Sequence, residues 1–405
     1  MEIVVAPMPA GRPQLQHLEY PRIVVKVGTN VLTAGSDELN TEAMASLVEQ
    51  IVELQRRGIE LVVVTSGAIA VGRHRITSSD RVGKLHPRDV QARQVFASVG
   101  QGRLMALWDE LFEQHDVVLA QALLTRNDLD DRVGYLNARN TLTRMVELGV
   151  VPIVNENDVV SIDEIAEMNI GDNDNLSAQV ANLVDADLLL LLTDVAGLYS
   201  ADPGRDPEAR LLKEVAQIDD AIVQAAAGAP GAHGRGGMAT KVGAARLATQ
   251  HGTHVVIADG HAQDVVLRAA SGEPVGTHFL PSGDRTESRR RYLMSGLQVR
   301  GRVIIDEGAA AALRHGGTSL LPVGVTGAEG AFGRGDVVHV YSTGGDHVAT
   351  GIANYGRSEV VRIAGKHSEQ ILHELGYEQS KEVIHRNNLV LVSDTDSMGF
   401  STVEC

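Results

Sequence analysis

The stretch Ile23-Val24-Val25-Lys26-Val27-Gly28-Thr29-Asn30 sets the fold. Four of its first five residues are β-branched and show no polar alternation, which predicts a strand covered on both faces. A glycine then ends the run and polar residues follow it. The same pattern recurs at Leu61–Thr65, Val117–Ala120, Val151–Asn155, Leu188–Thr193 and Val255–Ala258. Between these runs lie segments of helical period: Thr41–Arg57, Val90–Gln114, Val133–Leu148, Asn175–Val184, Asp219–Ala227 and Thr240–Gln250. Thr41 with Glu42 reads as the opening cap of the first helix, and Gly58 as its close. Such alternation predicts an α/β fold, a three-layer αβα sandwich around a mainly parallel sheet.

Outward from this region the pattern changes. SGDRTESRRRYLMSG, residues 282–296, carries four arginines without apolar periodicity and reads as a linker. Beyond it, LQVRGRVIID, SLLPVGVTG, DVVHVYST and HVATGIANY are short strand-like runs separated by glycine turns, which predicts a small β-barrel. The expected organisation is an N-terminal extension (1–19), an α/β domain (20–282), a linker (283–296), a small β domain (297–376) and a C-terminal segment (377–405) with a disordered end.

Composition removes several functional classes. The 405 residues hold one cysteine, the last, so neither a disulfide framework nor a Cys-based zinc site is available. Leu188–Leu192 is bounded by Asp187 and Asp194, and no apolar run reaches the ~18 residues of a bilayer span. The N-terminus has no basic region of a signal peptide, so a soluble, cytoplasmic protein without membrane association is expected. With 36 Lys+Arg against 52 Asp+Glu the formal charge is −16, which argues against general nucleic-acid binding. Fifteen histidines are scattered, with no metalloprotease or kinase His signature. Forty-two glycines call for many tight turns and close backbone approaches.

Five loops carry the candidate chemistry. Lys26 lies inside an apolar strand, where an ammonium is costly unless an anion meets it; snorkelling at a sheet edge is the plain alternative. Ser66-Gly67 follows the second strand and offers a hydroxyl and N–H groups, or simply a helix cap. Asn155-Glu156-Asn157-Asp158 and Gly171-Asp172-Asn173-Asp174-Asn175 bracket one loop with short polar side chains, dense enough to bind an ammonium group, a metal or hydroxyls. An EF-hand is excluded there, because its glycine and final acid are missing. Thr193-Asp194 follows a buried strand, and on its own reads more readily as an ordinary turn. Gly234-Arg235-Gly236-Gly237-Met238-Ala239-Thr240-Lys241 opens a helix with glycine N–H groups and a lysine, the parts of an anion cradle. It lacks the Walker ending, and it does not follow its strand directly as a dinucleotide fingerprint must.

Taken together, VVKVGTNVLT (24–33), VVTSGAIAVG (63–72), PIVNENDVV (152–160), GDNDNLSAQVA (171–181), LLLTDVAGLY (190–199) and GRGGMATKV (234–242) resemble the amino-acid kinase family in order and spacing. TESRRRYLMSG, IIDEGAAAAL and YEQSKEVIHRNNLVLV extend the likeness to the glutamate-phosphorylating branch that carries a C-terminal PUA domain. The resemblance covers nearly all of residues 20–392.

It implies ATP-dependent phosphorylation of the γ-carboxylate of L-glutamate, giving L-glutamyl 5-phosphate in the first step towards proline. On that basis Lys26 and Lys241 hold the phosphates and neutralise charge during transfer, with Asp174 orienting them. Ser66, Gly67, Asp158 and Asn173 bind glutamate. Thr193, Asp194 and the loop Arg235, Gly236, Gly237, Met238, Ala239, Thr240 and Lys241 bind ATP, together with Lys26. Arg235 departs from the Gly-Thr-Gly-Gly-Met more usual in the family. Mg²⁺ is expected on the nucleotide phosphates and water, with no protein metal site. A homo-oligomer (dimer or tetramer) and hand-off of product to glutamyl phosphate reductase are further implications, and feedback inhibition by proline is one the sequence leaves open. The competing readings are a sister carboxylate kinase and an RNA-binding protein acting through the small β domain. Residues 297–372 hold seven basic and seven acidic residues, which is not the basic face RNA needs.

Overall fold

We describe the chain from a computed structural model covering residues 19–36, 38–79, 85–86, 89–161, 172–227, 237–283 and 299–392. The strands of its first part are β1 (Arg22–Val27), β2 (Glu60–Val64), β3 (Leu119–Leu124), β4 (Val151–Glu156), β5 (Leu188–Thr193), β6 (Glu214–Val215), β7 (His254–Asp259) and β8 (Thr277–Phe279). They form one sheet in the order β3-β4-β2-β1-β5-β7-β8-β6. β1 pairs in parallel with β2 on one side and β5 on the other. Only the β7–β8 pairing is antiparallel. The α/β reading with a mainly parallel sheet is therefore the observed fold. β4 and β5 are buried along their whole length, as strands without polar alternation must be when helices cover both faces.

Most predicted strands and helices recur within one or two residues, and the exceptions have local causes. The third strand was expected at Val117–Ala120, but β3 begins at Leu119 and alternates in exposure, as suits a sheet edge. Val118, β-branched yet 66% exposed, lies just outside it. Thr41 does not cap its helix: Asn40 does, its side chain accepting from the Ala43 N–H at 2.9 Å, and Thr41 is the first helical residue. Gly58 follows that helix with φ +86°, in keeping with its expected closing role.

The helix Ala68–Thr77 packs on the helix Val90–Glu113 at a glycine crossing. A Cβ on Gly72 would stand 1.7 Å from the Phe96 carbonyl oxygen, and one on Gly100 1.8 Å from that of Ala68. This approach brings the long helix against the loop that follows β2.

By internal contacts the described residues fall into two compact units. The first comprises residues up to Leu129 and Thr141–Gly283; the second comprises Asp130–Asn140 and the residues from 299 onward. In the second, β9 (Gly301–Ile305), β10 (Val325–Gly330), β11 (Val337–Ser342), β12 (His347–Ile352) and β13 (Leu389–Leu391) form a mixed sheet in the order β10-β9-β11-β12-β13. Its core gathers Val303, Val338, Val340, Tyr355 and Ile384, while Leu136 is buried with Val337, Ile352 and Val390 on another cluster. Residues 284–296 of the expected linker (283–296) and residues 393–405 of the C-terminal segment (377–405) lie outside the described residues. Among the described residues no helix is long and apolar enough to cross a membrane.

Candidate active site

Parallel pairing brings the carboxyl ends of β1, β2, β4 and β5 to one edge of the sheet. The chain leaves β1 for β2 on one side and returns as β5 on the other, so the crevice at this edge is a topological switch point, where open α/β sheets bind ligands. Lys26 near the end of β1, Ser66-Gly67 after β2, Asn155 to Asp158 at the end of β4 and Thr193-Asp194 at the end of β5 all fall there.

The centre of the edge is a buried charge cluster. Lys26 Nζ lies 2.6 Å from Asp174 Oδ1, and Lys241 Nζ lies 3.3 Å from Asp174 Oδ2. Thr240 Oγ1 donates to the same Oδ2 at 2.8 Å. The three charged residues come from β1, from the first turn of the helix Asp172–Leu183 and from the first turn of the helix Met238–Thr249. All are nearly out of solvent, at 6%, 1% and 4% exposure for Lys26, Asp174 and Lys241. Burial alone would raise the pKa of Asp174, but the two ammonium groups and the hydrogen bonds from Lys26 and Thr240 outweigh it and hold it down at about 2. Lys241 is lowered, first by burial and then by Lys26, with Asp174 acting against both. One carboxylate thus serves two ammonium groups. Asp194 also acts on Lys241, but it is exposed. Dry positive charge of this kind is stabilised when an anion enters.

The loops around the cluster are shaped before any ligand arrives. Gly67 takes φ +97° at the head of the helix Ala68–Thr77, a left-handed conformation that favours glycine. The Ser66 hydroxyl donates to the Val27 carbonyl at 2.9 Å and accepts from Thr29 at 3.2 Å. It therefore braces the end of β1, while the Thr65 N–H donates to the Val154 carbonyl at 2.9 Å. Asp158 is buried in the turn after β4. Asn173 Oδ1 is a buried acceptor with no partner among the described residues. Asn175 is exposed, in line with an ordinary helix-start role.

Thr193 Oγ1 donates to Asp194 Oδ1 at 3.2 Å, and Asn30 Nδ2 to Asp194 Oδ2 at 2.7 Å. That bridge ties the loop after β1 to the loop after β5. Gly237 caps the helix Met238–Thr249; Met238 turns into the core and Ala239 is exposed. Arg235 and Gly236 lie outside the described residues.

Lys26, Asp174 and Lys241 meet, as the sequence reading expects, but their supports were missed. Thr240 was assigned to the nucleotide loop, and the structure shows it also fixing Asp174. Thr29 and Asn30 lie in the motif after β1, but nothing in the sequence marks either as a brace, and Gln101, a lone polar residue in a helical segment, carried no signal. Gln101 accepts from Asn155 Nδ2 at 2.8 Å.

The amino acid kinase family model matches residues 21–259, and the PUA domain model matches residues 301–375. The chain belongs to the amino acid kinase family. Within it the similarity is to glutamate 5-kinases. That of Dehalococcoides mccartyi (strain CBDB1) is 52% identical over 374 residues, 92% of this chain and 99% of the relative. Those of Herpetosiphon aurantiacus and Stutzerimonas stutzeri are 48% and 47% identical, each over 92% of this chain and 98% of the relative.

Proposed function

We propose that this chain uses ATP to phosphorylate the γ-carboxylate of L-glutamate, the first step of proline biosynthesis. The observation that carries the reading is the buried Lys26–Asp174–Lys241 cluster at the switch point, in a chain whose relatives are glutamate 5-kinases. A glutamate side-chain carboxylate, with an ordinary pKa of about 4.3, is ionised at neutral pH, so no general base is required. One of its oxygens attacks the γ-phosphorus in line while the bond to the bridging oxygen breaks. ADP leaves with that electron pair, and the product is an acyl phosphate. Positioning and charge stabilisation are then the whole task of the protein. Lys26 and Lys241 meet the negative charge of the transferring group, and Asp174, locked by Thr240, keeps both ammonium groups aimed.

Ser66, Gly67, Asp158 and Asn173 take the amino acid in this reading, Asp158 and the Asn173 carbonyl oxygen facing its ammonium group. Thr193, Asp194 and the segment 235–241 take the nucleotide. Among the described residues no group of three or more His, Cys, Asp or Glu gathers into a metal cage, and Asp174 has both oxygens on lysines. This donor set suits a Mg²⁺ carried on the nucleotide phosphates, where it neutralises charge.

Residues 20–282 are assigned to catalysis, 283–296 to a linker and 297–376 to the PUA domain. The acyl phosphate is a mixed anhydride prone to hydrolysis, which favours direct consumption by a glutamyl phosphate reductase. Proline shares the ammonium and α-carboxylate of glutamate, so feedback at the same groups is proposed, together with a homo-oligomeric, cytoplasmic enzyme. ADP release measured with L-glutamate, aspartate and N-acetylglutamate tests the activity. Turnover with glutamate over the other two is expected, and no glutamate-dependent ADP would overturn the reading.

A further inference from the structure

The helix Val90–Glu113 touches both loops of the amino-acid half of the site. Gly100 sits against the first turn of the helix Ala68–Thr77, as the 1.8 Å clash of a Cβ with Ala68 O shows. Trp108 Nε1 donates to Thr65 Oγ1 at 3.4 Å. Between them in sequence, Gln101 reaches the end of β4.

The orientation of the Gln101 amide is fixed from the backbone outward. The Glu156 N–H, which can only donate, is 2.9 Å from Asn155 Oδ1. Asn155 must therefore turn Nδ2 towards Gln101, and Gln101 must present Oε1 to it at 2.8 Å. Its Nε2 is left over: a buried donor with no partner among the described residues. A buried donor of this kind is destabilising unless something accepts from it, and a ligand acceptor is one such group. Asn173 Oδ1 is the complementary case, a buried acceptor without a partner. A donor and an acceptor together match the carboxylate and ammonium of an amino acid.

The sheet order says which carboxylate. β4 is separated from Lys26 on β1 by β2 alone, and neighbouring strands lie about 4.8 Å apart, so Asn155, to which the Gln101 amide is bonded, stands two strand spacings, about 10 Å, from the lysine strand. A five-carbon diacid with its γ-carboxylate at the lysines brings its other end towards β4. We propose that Gln101 Nε2 donates to the α-carboxylate of the substrate, which makes Gln101 a substrate-binding residue. This assignment rests on the glutamate reading above.

Two variants and the unaltered chain test it by steady-state kinetics, with thermal melting alongside. Gln101→Glu keeps nearly the same shape and an acceptor for Asn155 but replaces the donor by a negative charge. Gln101→Leu removes both. The interaction is present equally before and during phosphoryl transfer, so KM for glutamate should rise about tenfold in the leucine variant and further in the glutamate variant, with kcat and KM for ATP within about twofold. A wild-type KM in Gln101→Glu would mean that the residue only props Asn155, and the assignment falls. Equal changes in kcat and both KM values would mark a structural effect and overturn it as well. Absence of glutamate turnover in the unaltered chain would overturn the activity reading, and this assignment with it, and is recognisable because it needs no substitution.

Discussion

The two edges of the eight-stranded sheet solve opposite problems. At the amino edge charges are matched and only partly covered: Arg22 pairs with Glu60 at 2.5 Å, and its backbone N–H donates to Asp187 at 2.8 Å. His254, at the start of β7, shares a hydrogen bond with His278 of β8 at 2.9 Å, under the ring of Tyr20. At the carboxyl edge two ammonium groups share one carboxylate, and all three are nearly dry. The amino edge minimises its own electrostatic energy. The carboxyl edge holds an arrangement that an anion improves, and this is the difference between a scaffold and a site.

The largest expected effect breaks the carboxyl edge on the functional side. Lys241→Met removes a charge while keeping most of the volume, leaving a neutral Lys26–Asp174 pair that the protein can bury more readily. The fold should therefore hold while kcat falls by about 10²–10³, the usual cost of deleting one group that meets developing negative charge. ADP release with a parallel melting curve reads both quantities. A variant with near-normal kcat would remove Lys241 from the transfer step.

Asp174→Asn breaks the same edge on the structural side and should affect stability more than any lysine change. It leaves two buried ammonium groups without their shared carboxylate, a disruption worth about 3–5 kcal/mol in buried ion pairs. Urea unfolding would show it as a lowered midpoint at unchanged slope. An unchanged midpoint would mean that the two lysines do not depend on Asp174.

How legible these edges were follows from their chemistry. The carboxyl edge could be found because Lys26 interrupts an apolar strand and because GDNDN and GRGGMATK are unusual in composition. Residues 188–192 announced themselves as a strand by an unbroken aliphatic run, and residues 22–27 and 151–156 by short, mainly β-branched apolar runs. β6 and β8 were missed, being two and three residues long, too short for any period. The Asn40 cap was displaced by its neighbour Thr41, which is also a capping type, so sequence alone could not choose between them. Gln101 was invisible because its role depends on Gly100 bringing the helix against Ala68, a contact between residues far apart in sequence. The His254–His278 pair was equally hidden, since neither residue belongs to a motif.

That histidine pair gives the comparison its smallest and most selective test, through pH. Burial lowers the pKa of His278, with Glu214 and Glu19 acting against it. A histidine held below its unfolded value of about 6.5 binds its proton more readily once unfolded, so its contribution is complete above that pH and declines as acid is added. Asp174, held at about 2, behaves as a depressed carboxylate: its contribution is complete above the unfolded value of about 3.9 and is lost as pH falls through about 2. Between about pH 6.5 and 4 the amino edge should therefore weaken while the carboxyl edge is unaffected. His278→Gln, which keeps a hydrogen-bonding side chain but cannot titrate, should flatten the decline of melting temperature across that window. The decline should not vanish, because His339 in the second unit is lowered to about 4, by burial and by the neighbouring His347. An acid limb identical to that of the unaltered chain would show that the amino edge carries no proton-linked stability, and the contrast between the two edges would then rest on the buried lysines and Asp174 alone.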